Sequence, residues 1–349
     1  MHESSYYGEN LIFIISQPRS GSTLLQRVLA GHPDVLTSAE TWLMLHPVYT
    51  HKVADIQSIY NSEWASVGVS EFIENYTDGN EEYDNALRIW AKTIYESALR
   101  KGKKEIFLDK TPRYFFIIPE LYRLFPKAKF VFLLRNPMAV LSSEIHTYVK
   151  GNWPFISQIA PDLIDAPKLI LEGMDLLGDD AIVIHYEEFV NNPEEYISGL
   201  CSQLDIEFNV SMLDYSKTEA PKGKLNDPVG IHQHTRPSNK GVDKWKNMKN
   251  DPQERHFAIS YLRSLGKETV ERYGYSFDEI EGIFSADESS LKTSKSIFPW
   301  ELCLRPEKKW SFKNKIRSIM YFSIKEKGPI VGRLKAYKKI LSIIAKKFK

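Results

Sequence analysis

The stretch LIFIISQPRSGSTLLQRVLAGHP, Leu11 to Pro33, constrains the fold more than any other part of the chain. Leu11 to Ile15 are all apolar, as in a strand buried on both faces. A short polar turn follows, and then a helical pattern over Ser22–Ala30. Such a crossover aims several backbone N–H donors at one point, and the helix dipole adds positive potential there. Gly21 lets the backbone approach a ligand closely. Ser20, Ser22 and Thr23 add hydroxyls, and Arg19 adds a planar cationic fork suited to an oxyanion. A plain N-cap needs only Ser20 or Ser22; proline, arginine, glycine and further hydroxyls exceed that need. Compared with the nucleotide loop G-x-x-x-x-G-K-[ST], Ser16 replaces the first glycine and Ser22 replaces the lysine.

Similar apolar runs recur at Glu105–Asp109, Lys129–Leu134 and Ala181–Tyr186. Helical patterns lie between them at Phe115–Phe125, Met138–Tyr148 and Pro193–Leu204. This alternation predicts an α/β fold: a parallel sheet flanked by helices, with ligands at the carboxyl ends of its strands. Gln17–Thr23, Asp109–Arg113, Arg135 and Tyr186 fall at that edge. Residues 40–104 hold no convincing strand and read as an aromatic-rich helical insertion on the acceptor side, with Trp42, Trp64, Tyr76, Trp90 and Tyr95. The main domain is expected over 1–284, a serine-rich linker over 285–306 and a basic segment over 307–349.

The run KFVFLL ends in Arg135, Asn136 and Pro137. A loop that hydrolyses ATP needs an acid on a neighbouring strand to organise magnesium. A cation there suits another phosphate instead, so the site is expected to take an anionic nucleotide bearing an extra phosphate, with no metal. A P-loop nucleotide or small-molecule kinase and a non-catalytic nucleotide-binding scaffold are the alternative readings.

The chain resembles the sulfotransferases that use PAPS (3′-phosphoadenosine 5′-phosphosulfate) and release PAP, the 3′,5′-bisphosphate. PRSGSTLL is similar to their 5′-phosphosulfate loop, which places Arg19, Ser20, Gly21, Ser22, Thr23 and Leu24 in that role. FVFLLRNPMAVLSS resembles their 3′-phosphate motif, carried here by Arg135 and Ser143. VIHYEEFVNNPEEY is similar to the segment whose tyrosine lies near adenine, here Tyr186. SNKGVDKWK resembles the late loop closing over the nucleotide, with Ser238, Lys240 and Gly241. The likeness is greatest to the tyrosylprotein and carbohydrate branch. HPDVLTSAETW matches the stretch with its catalytic glutamate, at Glu40, and DKTPRY matches the segment with its transition-state lysine, at Lys110. The further arginine that tyrosylprotein enzymes carry beyond the 3′-phosphate serine is replaced by Thr147, a departure from a peptide-tyrosine acceptor.

What the resemblance implies is in-line sulfuryl transfer from PAPS to a hydroxyl or amine of a small-molecule, lipid or carbohydrate acceptor. Arg19 and Lys110 would neutralise charge on the leaving oxygen, and Glu40 would take the acceptor proton. His146, one helical turn beyond Ser143, is the rival base. His232–His234 (HQH) reads as a loop, since two histidines without a third ligand make a weak metal signal.

Two cysteines in 349 residues, Cys201 and Cys303, give no disulfide framework and no metal spacing. The N-terminal run has no basic flank and is short for a leader; the expected location is cytoplasmic. Net charge is +1, yet residues 308–349 hold fourteen Lys/Arg and one acid, +13, against −12 for the remainder. From Ile330 an apolar stripe runs through Leu334, Tyr337, Leu341, Ile344 and Phe348 with lysines on other faces. Such a basic amphipathic helix is expected either to lie on an anionic membrane or to pack on the acidic body or a partner chain. No fold motif supports nucleic-acid binding.

Overall fold

The computed structural model describes residues 6–50, 62–216, 221–222, 235–285 and 297–304, and part of 316–341. The linker expected over 285–306 lies mostly outside the described residues, as do His232–His234, Ile344 and Phe348. The chain divides into two units: residues 1–136 with 166–242, and residues 137–165 with 243–349. The span expected as one domain, 1–284, contributes to both.

The first unit is built on five parallel strands, β1 (Leu11–Ser16), β2 (Val35–Thr37), β3 (Ile106–Asp109), β4 (Lys129–Leu134) and β5 (Ala181–His185), in the order β2-β3-β1-β4-β5. In register, Phe13 lies beside Asp109 of β3 and Phe130 of β4, and Phe132 of β4 lies beside Val183 of β5. All six residues of β1 are buried. Alternation sends Ile12 and Ile14 to one face, where they pack with Leu25, Val28 and Leu29 of helix Ser22–Leu29. Phe13 points to the other face, its ring 5.3 Å from Phe130 and 6.0 Å from Tyr114. A strand covered on both faces is the apolar run that the sequence displays.

The sequence reading omits β2, which is only three residues long. The pattern at Phe115–Phe125 resolves into a 3₁₀ turn, Pro112–Ile117, followed by helix Ile118–Leu124. The insertion contains helices Leu45–Tyr49, Ser62–Tyr76 and Asn80–Gly102.

The second unit is helical. Helices Pro137–Glu144, Pro252–Leu265 and Phe277–Ser285 bury Leu141, Phe257, Leu262 and Phe284 in a core with Trp153 and Trp300. Asp251 caps the central helix by accepting from the Gln253 and Glu254 amides at 2.8 and 3.0 Å, with Pro252 at the first helical position.

Candidate active site

Parallel strands put all their carboxyl ends on one edge, about 4.8 Å apart from neighbour to neighbour. The chain leaves β3 into Lys110, β1 into the Gln17–Gly21 turn, β4 into Arg135 and β5 into Tyr186. These four strands are consecutive in the sheet, so four of the expected site segments stand in a row.

The turn after β1 is held by two left-handed residues, Arg19 at φ +67° and Gly21 at φ +92°. A non-glycine residue in that region is uncommon, and here it turns the chain within three residues. The Ser20 amide donates to Gln17 O at 3.2 Å, and the Leu24 and Leu25 amides donate to Gly21 O. Helix Ser22–Leu29 starts directly after Gly21 with no side-chain cap. Ser20 and Ser22 are buried. Gly21 is required by its surroundings: a methyl there would sit 2.5 Å from Tyr186 Cδ2.

Arg135 and Tyr186 close the other side of this turn. The Arg135 guanidinium carbon stands 4.2 Å from the centre of the Tyr186 ring, and its Nη1 donates to Arg19 O at 2.8 Å. Its Nε is buried with no hydrogen-bond partner among the described residues. A buried donor with no acceptor is costly, and an anion is the partner that suits a guanidinium. The Asn136 amide donates to Glu187 Oε1 at 3.1 Å, fastening the end of β4 to the helix Tyr186–Asn191. At the far end of that helix Asn191 Oδ1 accepts from Asn239 Nδ2 at 3.0 Å. The turn around Asn239 has the Lys240 amide on Ser238 Oγ at 3.3 Å and Gly241 at φ +104°. The late loop with Ser238, Lys240 and Gly241 is thus anchored to the element that begins with Tyr186.

On the β2–β3 side, Lys110 and Glu40 form an ion pair, Nζ to Oε1 3.2 Å, with Lys110 2% and Glu40 18% exposed. Trp42 Nε1 donates to the other carboxylate oxygen of Glu40 at 3.2 Å, so both oxygens are oriented. The loop carrying Glu40 is tied to helix Ser22–Leu29, because Gln26 Nε2 donates to Thr37 Oγ1 at 2.7 Å and to Ser38 O at 2.8 Å.

Beneath this pair Asp109 is fully enclosed. Its carboxylate accepts from Thr41 Oγ1 at 2.8 Å, Tyr95 OH at 2.8 Å, Tyr114 OH at 3.0 Å and Thr111 Oγ1 at 3.2 Å. Burial pushes the Asp109 carboxyl above its ordinary value, and hydrogen bonds from the four hydroxyls act in the opposite direction. Burial, with the Asp109 charge next, holds the Tyr95 and Tyr114 hydroxyls well above theirs.

Ser143 and His146 belong to the second unit. Ser143 lies near the end of helix Pro137–Glu144, and His146 in the wider π turn Ile145–Val149 that continues it, closed by the Lys150 amide on Ile145 O at 2.8 Å. The helix expected over Met138–Tyr148 therefore widens at its end, a bulge that often marks a functional position. His146 Nδ1 lies 2.7 Å from Ser142 O and its Nε2 3.4 Å from Glu254 Oε1, so both ring nitrogens face oxygens of their own unit.

The family model for the sulfotransferase family matches residues 11–210. The chain belongs to the sulfotransferase family. Among curated relatives, the nodulation protein NoeE of Sinorhizobium fredii is 29% identical over 56% of this chain and 49% of its own length. The protein-tyrosine sulfotransferase of Drosophila melanogaster is 28% identical over 63% of this chain and 42% of its own length. The chain thus spans about half the length of these relatives. A solved sulfotransferase domain from the Synechococcus PCC 7002 olefin synthase shares the fold, with TM-score 0.50 and 20% identity over 79% of this chain and 98% of that one.

The family match takes in the turn after β1, Glu40, Lys110, Arg135, Ser143, His146 and Tyr186 and ends before Ser238. The sequence reading missed the hydroxyl cage of Thr41, Tyr95, Thr111 and Tyr114 around Asp109. One signal was present: an aspartate ending an apolar strand in IFLDKTP has to find buried donors. Thr111 and Tyr114 follow Asp109 closely, but that Thr41 and Tyr95 complete the cage from two distant segments was not readable from spacing.

Proposed function

We propose that this sulfotransferase moves a sulfuryl group from PAPS to a hydroxyl or amine acceptor. The observation that carries the reading is Arg135 at the end of β4, beside β1, with a buried Nε that finds no acceptor among the described residues and a guanidinium bonded to the loop carbonyl of Arg19. A kinase built on this sheet would need a carboxylate open to magnesium at that edge; Asp109, which ends β3 there, is enclosed by four hydroxyls, and a bisphosphate nucleotide needs a cation.

In the proposed reaction an acceptor oxygen or nitrogen forms a new bond to sulfur while the bond from sulfur to the bridging oxygen of the 5′-phosphate breaks. The acceptor proton passes to Glu40, whose two oxygens are held by Lys110 and Trp42. Charge grows on the departing oxygen, and Lys110 and Arg19 would be the cations that offset it. The Gln17–Gly21 turn with Ser22, Thr23 and Leu24 holds the 5′ end. Arg135 holds the 3′-phosphate, Tyr186 adjoins the adenine, and Ser238, Lys240 and Gly241 cover the nucleotide.

Thermal-shift titration is the first test: PAP without magnesium should raise the melting temperature, and ATP with magnesium should not. Transfer of labelled sulfate from PAPS into cell-extract acceptors, with tyrosine peptides as a separate arm, then defines the acceptor. Stabilisation by ATP and magnesium alone would refute the reading, and stabilisation by PAP with no labelled product from any extract would leave a binding protein rather than an enzyme.

A further inference from the structure

The described residues between 330 and 341 are helical, and exposure sorts them by face. Ala336 is wholly buried and Ile340 nearly so, whereas Ile330, Leu334, Tyr337 and Leu341 are each more than half exposed, Leu334 at 62%. Steps of four, three and four place those four side chains within about 60° of one another at ~100° per residue. Arg333 and Lys338 are exposed and fall on opposite flanks of the stripe. The helix is therefore held through one face and presents a second, apolar one bordered by cations.

We propose that this face docks on the surface of an anionic lipid bilayer. Charge decides the occupant. The segment 308–349 carries +13, with Glu326 its one acid, while the rest of the chain carries −12. A second copy offering the same face would bring +13 against +13. The acidic remainder of the same chain is a poor competitor, because the helix already has a buried face in Ala336 and Ile340 and the stripe stays outside. Nucleic acid is met by cations and stacking side chains, not by an aliphatic centre with cations at its margins. Anionic headgroups around an apolar interior match both parts, cations outside and the stripe inward. Among the described residues no helix is long and apolar enough to cross a membrane, so the segment would lie along the surface.

The test uses the full chain in vesicle sedimentation. Vesicles of phosphatidylcholine with about one third phosphatidylglycerol should retain the protein at low salt and release it steeply as salt rises, since attraction to a charged surface is screened within roughly 10 Å at 0.1 M. Pure phosphatidylcholine should retain little. Leu334→Glu with Leu341→Glu should weaken retention at least tenfold with the melting temperature unchanged, and Lys338→Glu should weaken it less. Absence of retention on anionic vesicles, or equal retention of the Leu334/Leu341 variant, would overturn the proposal. So would a concentration-dependent dimer in sedimentation equilibrium that the double variant abolishes, or binding to polyuridylate that it loses. Loss of the folding transition in both variants would make the stripe part of the core and would equally reject it. None of these readouts involves PAPS or PAP, so failure here is separate from failure of the sulfotransfer reading.

Discussion

Thr41 Oγ1 donates to Asp109 Oδ2 at 2.8 Å, a bond between the residue that follows Glu40 and the residue that precedes Lys110. It joins two chain segments whose tips carry the proposed base and the proposed cation. Tyr114 extends the connection, since its hydroxyl donates to Asp109 and accepts from the Met44 amide at 3.2 Å. The Asp109 carboxylate thus ties the segment that carries Glu40 to the one that carries Lys110.

Asp109→Asn should therefore disturb positioning. An amide presents N–H where a hydroxyl now donates, so at least one buried donor loses its acceptor, at a cost of about 1–3 kcal/mol. The expected outcome is a lower melting temperature and a kcat reduced roughly tenfold or more, with PAP affinity within a few-fold, because the proposed nucleotide grip lies at the ends of β1, β4 and β5. A variant destabilised but turning over normally would make the cage purely structural.

Glu40→Gln should retain PAP binding within a few-fold and lower turnover by about a hundredfold or more, the usual contribution of a positioned base. His146→Ala should change turnover far less, since both of its ring nitrogens already face oxygens of its own unit. The reverse pattern in single-turnover assays would exchange the two roles.

The two thiols give a pH-dependent expectation. Burial raises the Cys201 thiol to about 11, and the Cys303 thiol is likewise pushed up, with the Glu301 charge adding to burial. A folded value above the unfolded one means that their contribution to stability is complete below about 8.5 and is lost as pH rises through the folded value. At pH 8 iodoacetamide should label neither cysteine of the folded chain and both in denaturant. Rapid labelling of the native protein would contradict the burial of these side chains.

Much of the fold was legible because strands buried on both faces must be apolar throughout. Leu11–Ile15, Phe130–Leu134 and Ile106–Leu108 show this directly. β2 escaped notice because Val35–Thr37 is too short to display a period. The loop and Arg135 were visible as residue types at the ends of strands, where a parallel sheet gathers them. The cage around Asp109 was not visible, since Tyr95 reaches it from helix Asn80–Gly102 and Thr41 from the loop after β2, and neither distance has a local signature. The stripe from Ile330 was readable as a period, but whether it faced the core or solvent was a matter of packing.

Gly21→Ala should weaken nucleotide binding without unfolding the sheet. At φ +92° an alanine is strained by roughly 1–3 kcal/mol, and its methyl would meet the Tyr186 ring. Relief requires either the turn or the tyrosine to shift, and both belong to the proposed nucleotide site. PAP affinity measured by calorimetry should fall about tenfold or more. An unchanged affinity would remove Gly21 and Tyr186 from the site.

Arg135 offers the sharpest discrimination between ligands. Its Nη1 supports the loop through Arg19 O, while its Nε has no acceptor among the described residues. Arg135→Ala removes both. Loss of the loop support should weaken PAP and adenosine 5′-phosphosulfate alike, because in the proposed site both would place a 5′ group on the turn. Loss of the cation should weaken PAP alone, because only PAP carries a 3′-phosphate. A charge-assisted bidentate contact typically contributes more than a neutral hydrogen bond, so the additional loss for PAP should be at least tenfold. Arg135→Lys should recover part of the charge but not the fork, leaving PAP between wild type and alanine. If the two ligands lose affinity equally in Arg135→Ala, the residue acts only by holding Arg19, and the 3′-phosphate must be sought elsewhere.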